Sequence, residues 1–228
     1  MRKVRRLCKF IIRYTWKPFV QRYLRRPRRF IYKGIQVTVQ PGVFHPGFFF
    51  SSTALVDYLS ETDLNRKKFL EIGCGSGIVS ILAARKGAIV TCTDISASAL
   101  SCTHANARKN NADIVPLRSD LFNAIPPHEF DVIAVNPPYY RKNPDAQESY
   151  AWNAGENLEF FRRFFKDASR YVHGNSELIM VLSDECDLKA IREIAELHGW
   201  TQELMKKKAN LLETIYIFRY HFGQIALS

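Results

Sequence analysis

The chain has 228 residues, 46% of them apolar, which suits one α/β domain with a sizeable core and excludes a disordered or fibrous protein. Its apolar runs are short and interrupted, so none supplies the roughly 18 residues of a membrane-crossing helix. The net charge of +11 (33 Lys and Arg against 22 Asp and Glu) is concentrated in residues 1–33, which hold 13 basic residues and no acid and leave the rest at 20 against 22, or −2.

This basic arm, residues 1–33, can be written as a helix up to Thr15: Val4, Leu7, Cys8, Ile11 and Thr15 follow the i, i+3, i+4 spacing, with most cations off that stripe. Pro18 and Pro27 then punctuate it. It does not read as a secretory signal, because Arg13 interrupts an apolar run of only three residues. Such a charge density points to a polyanion, nucleic acid or an anionic membrane surface, or else to a helix packed on the body with its charges solvated. The five cysteines (Cys8, Cys74, Cys92, Cys102 and Cys186) are odd in number and scattered without a CxxC. They predict reduced thiols of a cytoplasmic protein, with neither a disulfide framework nor a metal site.

From Phe69 onward strand and helix signals alternate. Phe69–Ile72 is a short apolar run ending in Gly73-Cys74-Gly75-Ser76-Gly77, and Ile78–Lys86 reads as helix. Ala88–Thr93 is a β-branched strand that stops at Asp94, and a helix follows over Ala97–Asn110. Ile114–Leu117 and Phe130–Val135 are further strands. Phe161, Phe165, Ala168 and Val172 mark an amphipathic helix after Glu156. Leu178–Leu182 and Thr214–Phe218 are later strands, with a helix near Leu188–His198 between them. The alternation implies a mostly parallel sheet with helices on both faces, and ligands in such folds bind at the carboxyl ends of the strands.

Four features fall at those ends. The glycine loop Gly73–Gly77 lets the backbone turn tightly and approach a ligand more closely than a Cβ would permit, although its GxGxG spacing is not the GxGxxG of a dinucleotide site. Asp94, 21 residues after Gly73, can accept from both ribose hydroxyls of a nucleoside, or it can cap the following helix, as Ser96 also can. Asp120 after the third strand can accept from an exocyclic adenine amine while Leu121 or Phe122 packs the ring, or it is a solvated loop acid. Asn136-Pro137-Pro138-Tyr139 is the most specific. Its two prolines fix the backbone so that the Asn136 side chain and the Pro137 carbonyl form one rigid corner, able to accept from an NH2 group. Tyr139 offers a flat face beside it.

The ordered set Glu71-x-Gly73-x-Gly75-x-Gly77, Asp94, Asp120 and Asn136–Tyr139 resembles the class I methyltransferases that use S-adenosylmethionine. Within them it is similar to the NPPY amino methyltransferases, both the HemK-like release-factor glutamine enzymes and the small-domain ribosomal RNA enzymes. The resemblance spans roughly residues 35–221 and implies a Rossmann-like, seven-stranded, mostly parallel sheet with a C-terminal antiparallel hairpin over Thr201–Lys208 and Thr214–Tyr220. It makes residues 34–228 the methyltransferase domain. It implies cofactor binding by Glu71, Gly73, Gly75, Gly77, Asp94, Asp120, Leu121 and Asn136, and catalysis by Asn136, Pro137 and Tyr139. Phe44, His45, Tyr139 and Trp152 are expected on the acceptor side. The segment 41–53 contains no acid, unlike that of the glutamine enzymes, and its Pro41-Gly42-Val43-Phe44 opening looks more like the RNA enzymes. The expected acceptor is therefore a base amine of ribosomal or transfer RNA first, and a protein glutamine second. A nucleotide-dependent oxidoreductase would leave Asn136–Tyr139 without a purpose, and an RNA-binding protein on an inactive methyltransferase fold would not need an intact glycine loop, Asp94 and Asn136.

Overall fold

A computed structural model describes residues 22–48, 50–143, 153–210 and 213–223. The helix expected up to Thr15 lies outside the described residues.

The first element is a hairpin of β1 (Arg28–Tyr32) and β2 (Ile35–Val39), paired antiparallel from Arg28 opposite Val39 to Tyr32 opposite Ile35. Its two-residue connection, Lys33-Gly34, has positive φ at both positions (46° and 73°), the backbone of a type I′ turn that matches strand twist. The end of the basic arm is therefore a strand of the folded domain. The inward residues Ile35, Val37 and Val39 are buried, and this alternation outweighs the charge of Arg28 and Arg29.

Then follow α1 (Phe50–Glu61), β3 (Lys68–Ile72), α2 (Ile78–Arg85), β4 (Ile89–Asp94), α3 (Ala97–Lys109), β5 (Ile114–Arg118) and β6 (Phe130–Val135). The second half comprises α4 (Glu159–Ala168), β7 (Val172–Ser183), α5 (Leu188–Leu197), β8 (Trp200–Ala209) and β9 (Thr214–Phe222). The seven-stranded sheet has the order β5-β4-β3-β6-β7-β9-β8, parallel except where β9 runs against β7 and β8. Both the sheet and its hairpin agree with the sequence reading. Val172, expected on the amphipathic helix, instead opens β7: α4 tightens into a 3₁₀ turn at Ser169–Tyr171 and the chain then turns extended.

Adjacent residues on each strand serve opposite core layers. Phe69, Val132 and Ile179 pack with α1, α2 and the hairpin, whereas Leu70, Ile133 and Met180 pack with Phe161 and Phe165 of α4 and Ile191 of α5. Burial of each large side chain contributes roughly 1.5–3 kcal/mol. Trp200 is fully buried because its indole N–H donates to the Phe165 carbonyl at 2.9 Å. The hairpin is fastened from outside by two side chains one turn apart, Asn106 on α3 and Asn110 at its C-cap. Asn106 accepts from Thr38 N–H at 2.8 Å and donates to the Thr38 carbonyl at 3.1 Å. Asn110 does the same for Gln36, at 3.1 and 2.7 Å. The two amides thus complete the outer edge of β2 as a further strand would.

Strand order reverses at β3, which has β4 on one side and β6 on the other. The carboxyl ends of β3, β4, β5 and β6 open there around one cavity.

Candidate active site

This cavity measures about 410 Å³ and is lined by Gly73, Gly75, Asp94, Asp120, Leu121, Asn136, Pro137 and Tyr139, with Phe44 and Ser52 on the opposite wall. Most residues singled out from the sequence are therefore together.

The glycine loop is held by β4, since Gly73 N–H and Cys74 N–H both donate to the Thr93 carbonyl at 2.8 and 2.9 Å. Gly73 has φ 76°, and a Cβ there would meet nothing within 4 Å, so the backbone turn is what demands glycine. Gly77 does not line the cavity. It caps α2 at φ 78°, and a Cβ would lie 2.8 Å from Thr103 Cγ2, so its role is to let α2 and α3 approach. Gly77→Ala is expected to cost about 2–4 kcal/mol of stability from left-handed backbone and overpacking together. A urea midpoint equal to that of wild type would remove this assignment.

Asp94 is half-buried and takes two bonds from backbone, Gly75 N–H at 3.0 Å and Ser96 N–H at 2.9 Å. Ser96, not Asp94, caps α3. A carboxylate accepts about four hydrogen bonds, so Asp94 keeps capacity for a diol in the cavity. Burial raises its pKa, and its backbone bonds from Ser96 and Gly75 work against the rise.

Glu71 also lines the cavity, but its carboxylate is committed to the first turn of α2. It accepts from Ser80 N–H at 2.9 Å and from the Ser80 hydroxyl. Burial pushes its pKa up to about 8, against the opposing bonds from Ser80. The folded protein therefore binds this proton more tightly than the unfolded chain. The associated stability is full below the ordinary value of 4.5 and is lost as pH rises through about 8. Glu71→Gln, which cannot ionise, is expected to flatten the fall of Tm across that window. A variant whose Tm falls as steeply as wild type between those limits would refute it.

Asp120 pairs with Arg163 at 2.7 Å at the cavity rim. Leu121 adopts a left-handed backbone (φ 52°) and is buried against the cavity, an unfavourable conformation for a branched side chain. Phe122 instead joins the core beside Phe164 and Tyr171.

Asn136 has both amide hydrogens directed at α1, with Nδ2 at 3.1 Å from Ser51 Oγ and 3.2 Å from Ser52 Oγ. Its Oδ1 accepts from the Tyr139 hydroxyl at 3.0 Å. Tyr139, expected as a stacking face, is thus also a hydrogen-bond partner of the Asn136 amide. Burial raises its pKa well above the ordinary value, and a hydrogen bond with Ser51 opposes the rise. The two serines were not visible as site residues, because the segment 41–53 showed no acid and no readable period; the run Phe50-Ser51-Ser52-Thr53 before Ala54-Leu55-Val56 is the signal of a helix start.

His45 lies outside the cavity. It is packed between Phe30 and Phe48, and its Nδ1 accepts from Gly47 N–H at 3.1 Å, so local aromatic packing displaces it from the acceptor-side role. Trp152 lies outside the described residues.

The residues fit S-adenosylmethionine on a test independent of motif. Thr93 lines the cavity and is 1% exposed, yet its Oγ1 has no partner within the protein, which is the expected state of a polar atom completed by a polar ligand.

Comparison with known proteins agrees. The model of the methyltransferase small domain family matches residues 34–211. A putative protein N5-glutamine methyltransferase of Methanocaldococcus jannaschii is 33% identical over 61% of this chain and 72% of its own length. The methyltransferase HEMK2 of Homo sapiens is 39% identical over 66% of this chain and 76% of its own. Among solved structures, the T. thermophilus 16S rRNA N2 G1207 methyltransferase in complex with AdoMet and guanosine shares the fold. Its TM-score is 0.66 at 19% identity, covering 86% of this chain and 50% of that one. With a family match over most of its length and a cavity that suits the cofactor, the chain belongs to the methyltransferase small domain family and is an S-adenosylmethionine-dependent N-methyltransferase.

Proposed function

We propose that the acceptor is the primary carboxamide of a glutamine in a protein, with an RNA base amine as the second reading. The observation that supports the protein is the charge of the acceptor-side rim. Beyond Tyr139 lie Tyr140, which donates to Glu185 at 3.2 Å, and Arg141, which pairs with Asp187 at 2.9 Å. Glu213 is near enough to raise the Tyr139 pKa, and Asp184 adjoins Glu185. Acidic side chains at this edge suit a neutral or basic protein loop better than a phosphate backbone. Relatives above 30% identity include one named for protein N5-glutamine and one named for release factor glutamine. The basic arm is what favours RNA.

In this reading Asp94 holds a ribose, Asp120 with Leu121 an adenine, and the loop at Gly73–Gly75 the methionine portion. Phe44 and Tyr139 line the acceptor side. S-adenosylmethionine supplies an electrophilic methyl group on sulfur. An amide nitrogen is a weak nucleophile because its lone pair is delocalised into the carbonyl. Asn136 Oδ1 and the Pro137 carbonyl accept from its NH2 and favour a pyramidal nitrogen, an interaction that strengthens as the nitrogen gains positive charge. Alignment can contribute up to ~7–11 kcal/mol in favourable systems. No strong base is needed, since the product nitrogen is acidic until it loses its proton to water.

The test is transfer from methyl-labelled cofactor into an extract, followed by separate digestion with ribonuclease and protease. Label released by protease and resistant to ribonuclease is the expected result. Label released by ribonuclease would replace the protein acceptor with RNA.

A further inference from the structure

Around Asn136 the hydrogen bonds reach both ends of its amide. Asn136 Nδ2 donates to Ser51 at 3.1 Å, and the Tyr139 hydroxyl donates to Asn136 Oδ1 at 3.0 Å. Ser52 takes the second amide hydrogen from the cavity wall. Ser51 and Ser52 are 1% and 8% exposed, so water does not compete for these bonds. They stand in the first turn of α1, which packs on β7 and β9 across the sheet from α4.

We propose that Ser51 and Ser52 are positioning residues for Asn136 that fix the plane of its amide and hold Oδ1 toward the acceptor nitrogen. The inference rests on the role given to Asn136 above. An asparagine amide turns about its last torsion at small intrinsic cost, and its two ends have opposite polarity. Turned over, it would present NH2 to an incoming NH2, and two donors would face each other. A single polar neighbour leaves that rotation open. Two hydroxyls on the nitrogen side and a phenol on the oxygen side anchor the group at both ends. The serines touch neither reacting atom. Ser52 also lines the cavity, but the effect of both serines on transfer runs through Asn136.

Four proteins decide it: wild type, Ser51→Ala/Ser52→Ala, Asn136→Ala, and the triple variant. The first measurement, with S-adenosylhomocysteine saturating, is hydrogen exchange of the Asn136 carboxamide by NMR, its signals identified by their disappearance in Asn136→Ala. Exchange is expected to be slow in wild type and to speed up about tenfold or more when both serines are lost. The second is turnover on release factor and on ribosomal RNA as the two acceptor probes. The double serine variant should lose about 10- to 100-fold in kcat with cofactor affinity within about threefold of wild type. In the Asn136→Ala background the same serine changes should cost nothing further, because the group they position is gone. Ser52→Thr, which keeps the hydroxyl, should restore most of the activity lost in Ser52→Ala. An additive loss in the triple variant, or unchanged carboxamide exchange in the double variant, would overturn the proposal. If wild type methylates neither probe, the assigned function fails, and the exchange measurement still decides the positioning role.

Discussion

Asn136→Ala should lower turnover by about 10²–10³ while leaving cofactor affinity within a few-fold, the pattern of a contact that strengthens only in the transition state. The size follows from two effects. The acceptor loses a hydrogen-bond acceptor aimed at its NH2, and the half-buried Tyr139 hydroxyl beside it loses the oxygen it donates to. Single-turnover rates and calorimetry with S-adenosylhomocysteine separate the two quantities. An Asn136→Ala enzyme of near wild-type turnover would remove the mechanism, whichever acceptor is used.

Asp94→Ala should do the opposite and act on binding. Loss of two ribose contacts alone would weaken the cofactor by roughly tenfold or more. Asp94 also holds Gly75 N–H and Ser96 N–H, so the variant releases the glycine loop at its middle and the entry to α3. With those contacts included the dissociation constant should rise by about 10², since bonds to a charged acceptor are worth about 1.5–3 kcal/mol each. Turnover at saturating cofactor should change far less. Unchanged calorimetric affinity would contradict the assignment.

These two positions were legible in the sequence for a local reason. Each stands at the end of a short apolar strand, beside a distinctive backbone signal: the glycines of Gly73–Gly77 for Asp94 and the rigid Pro137-Pro138 for Asn136. The wall facing them was not legible. Arg28 and Arg29 made β1 read as part of a charged arm, although Ile35, Val37 and Val39 alternate as a strand should. The helix α1 follows an aromatic segment with no acid in its first turn, and its role is set by contact with a residue 84 or 85 positions later. Gly77 and His45 show the converse. Both carry types suited to a site, yet one meets Thr103 and the other meets Phe30 and Phe48. Periodicity reports which side of an element is apolar, and it does not report which distant side chain arrives there.

The clamp of Asn106 and Asn110 on β2 has a consequence for how the chain comes together during synthesis. Its bonds span sequence separations of 68 and 74 residues. An isolated two-stranded hairpin is marginal in water, and closing a loop of that length carries an entropic cost before any bond repays it. Made from the amino end, the hairpin emerges well before α3, so β2 presents an open edge until the helix has formed and docked. The hairpin is therefore completed late, and its open edge is the surface most exposed to mispairing with another nascent copy. Pulsed amide exchange during refolding should find Gln36 and Thr38 protected no earlier than α3. Protection of these two amides ahead of the helix would show that the hairpin forms without its clamp.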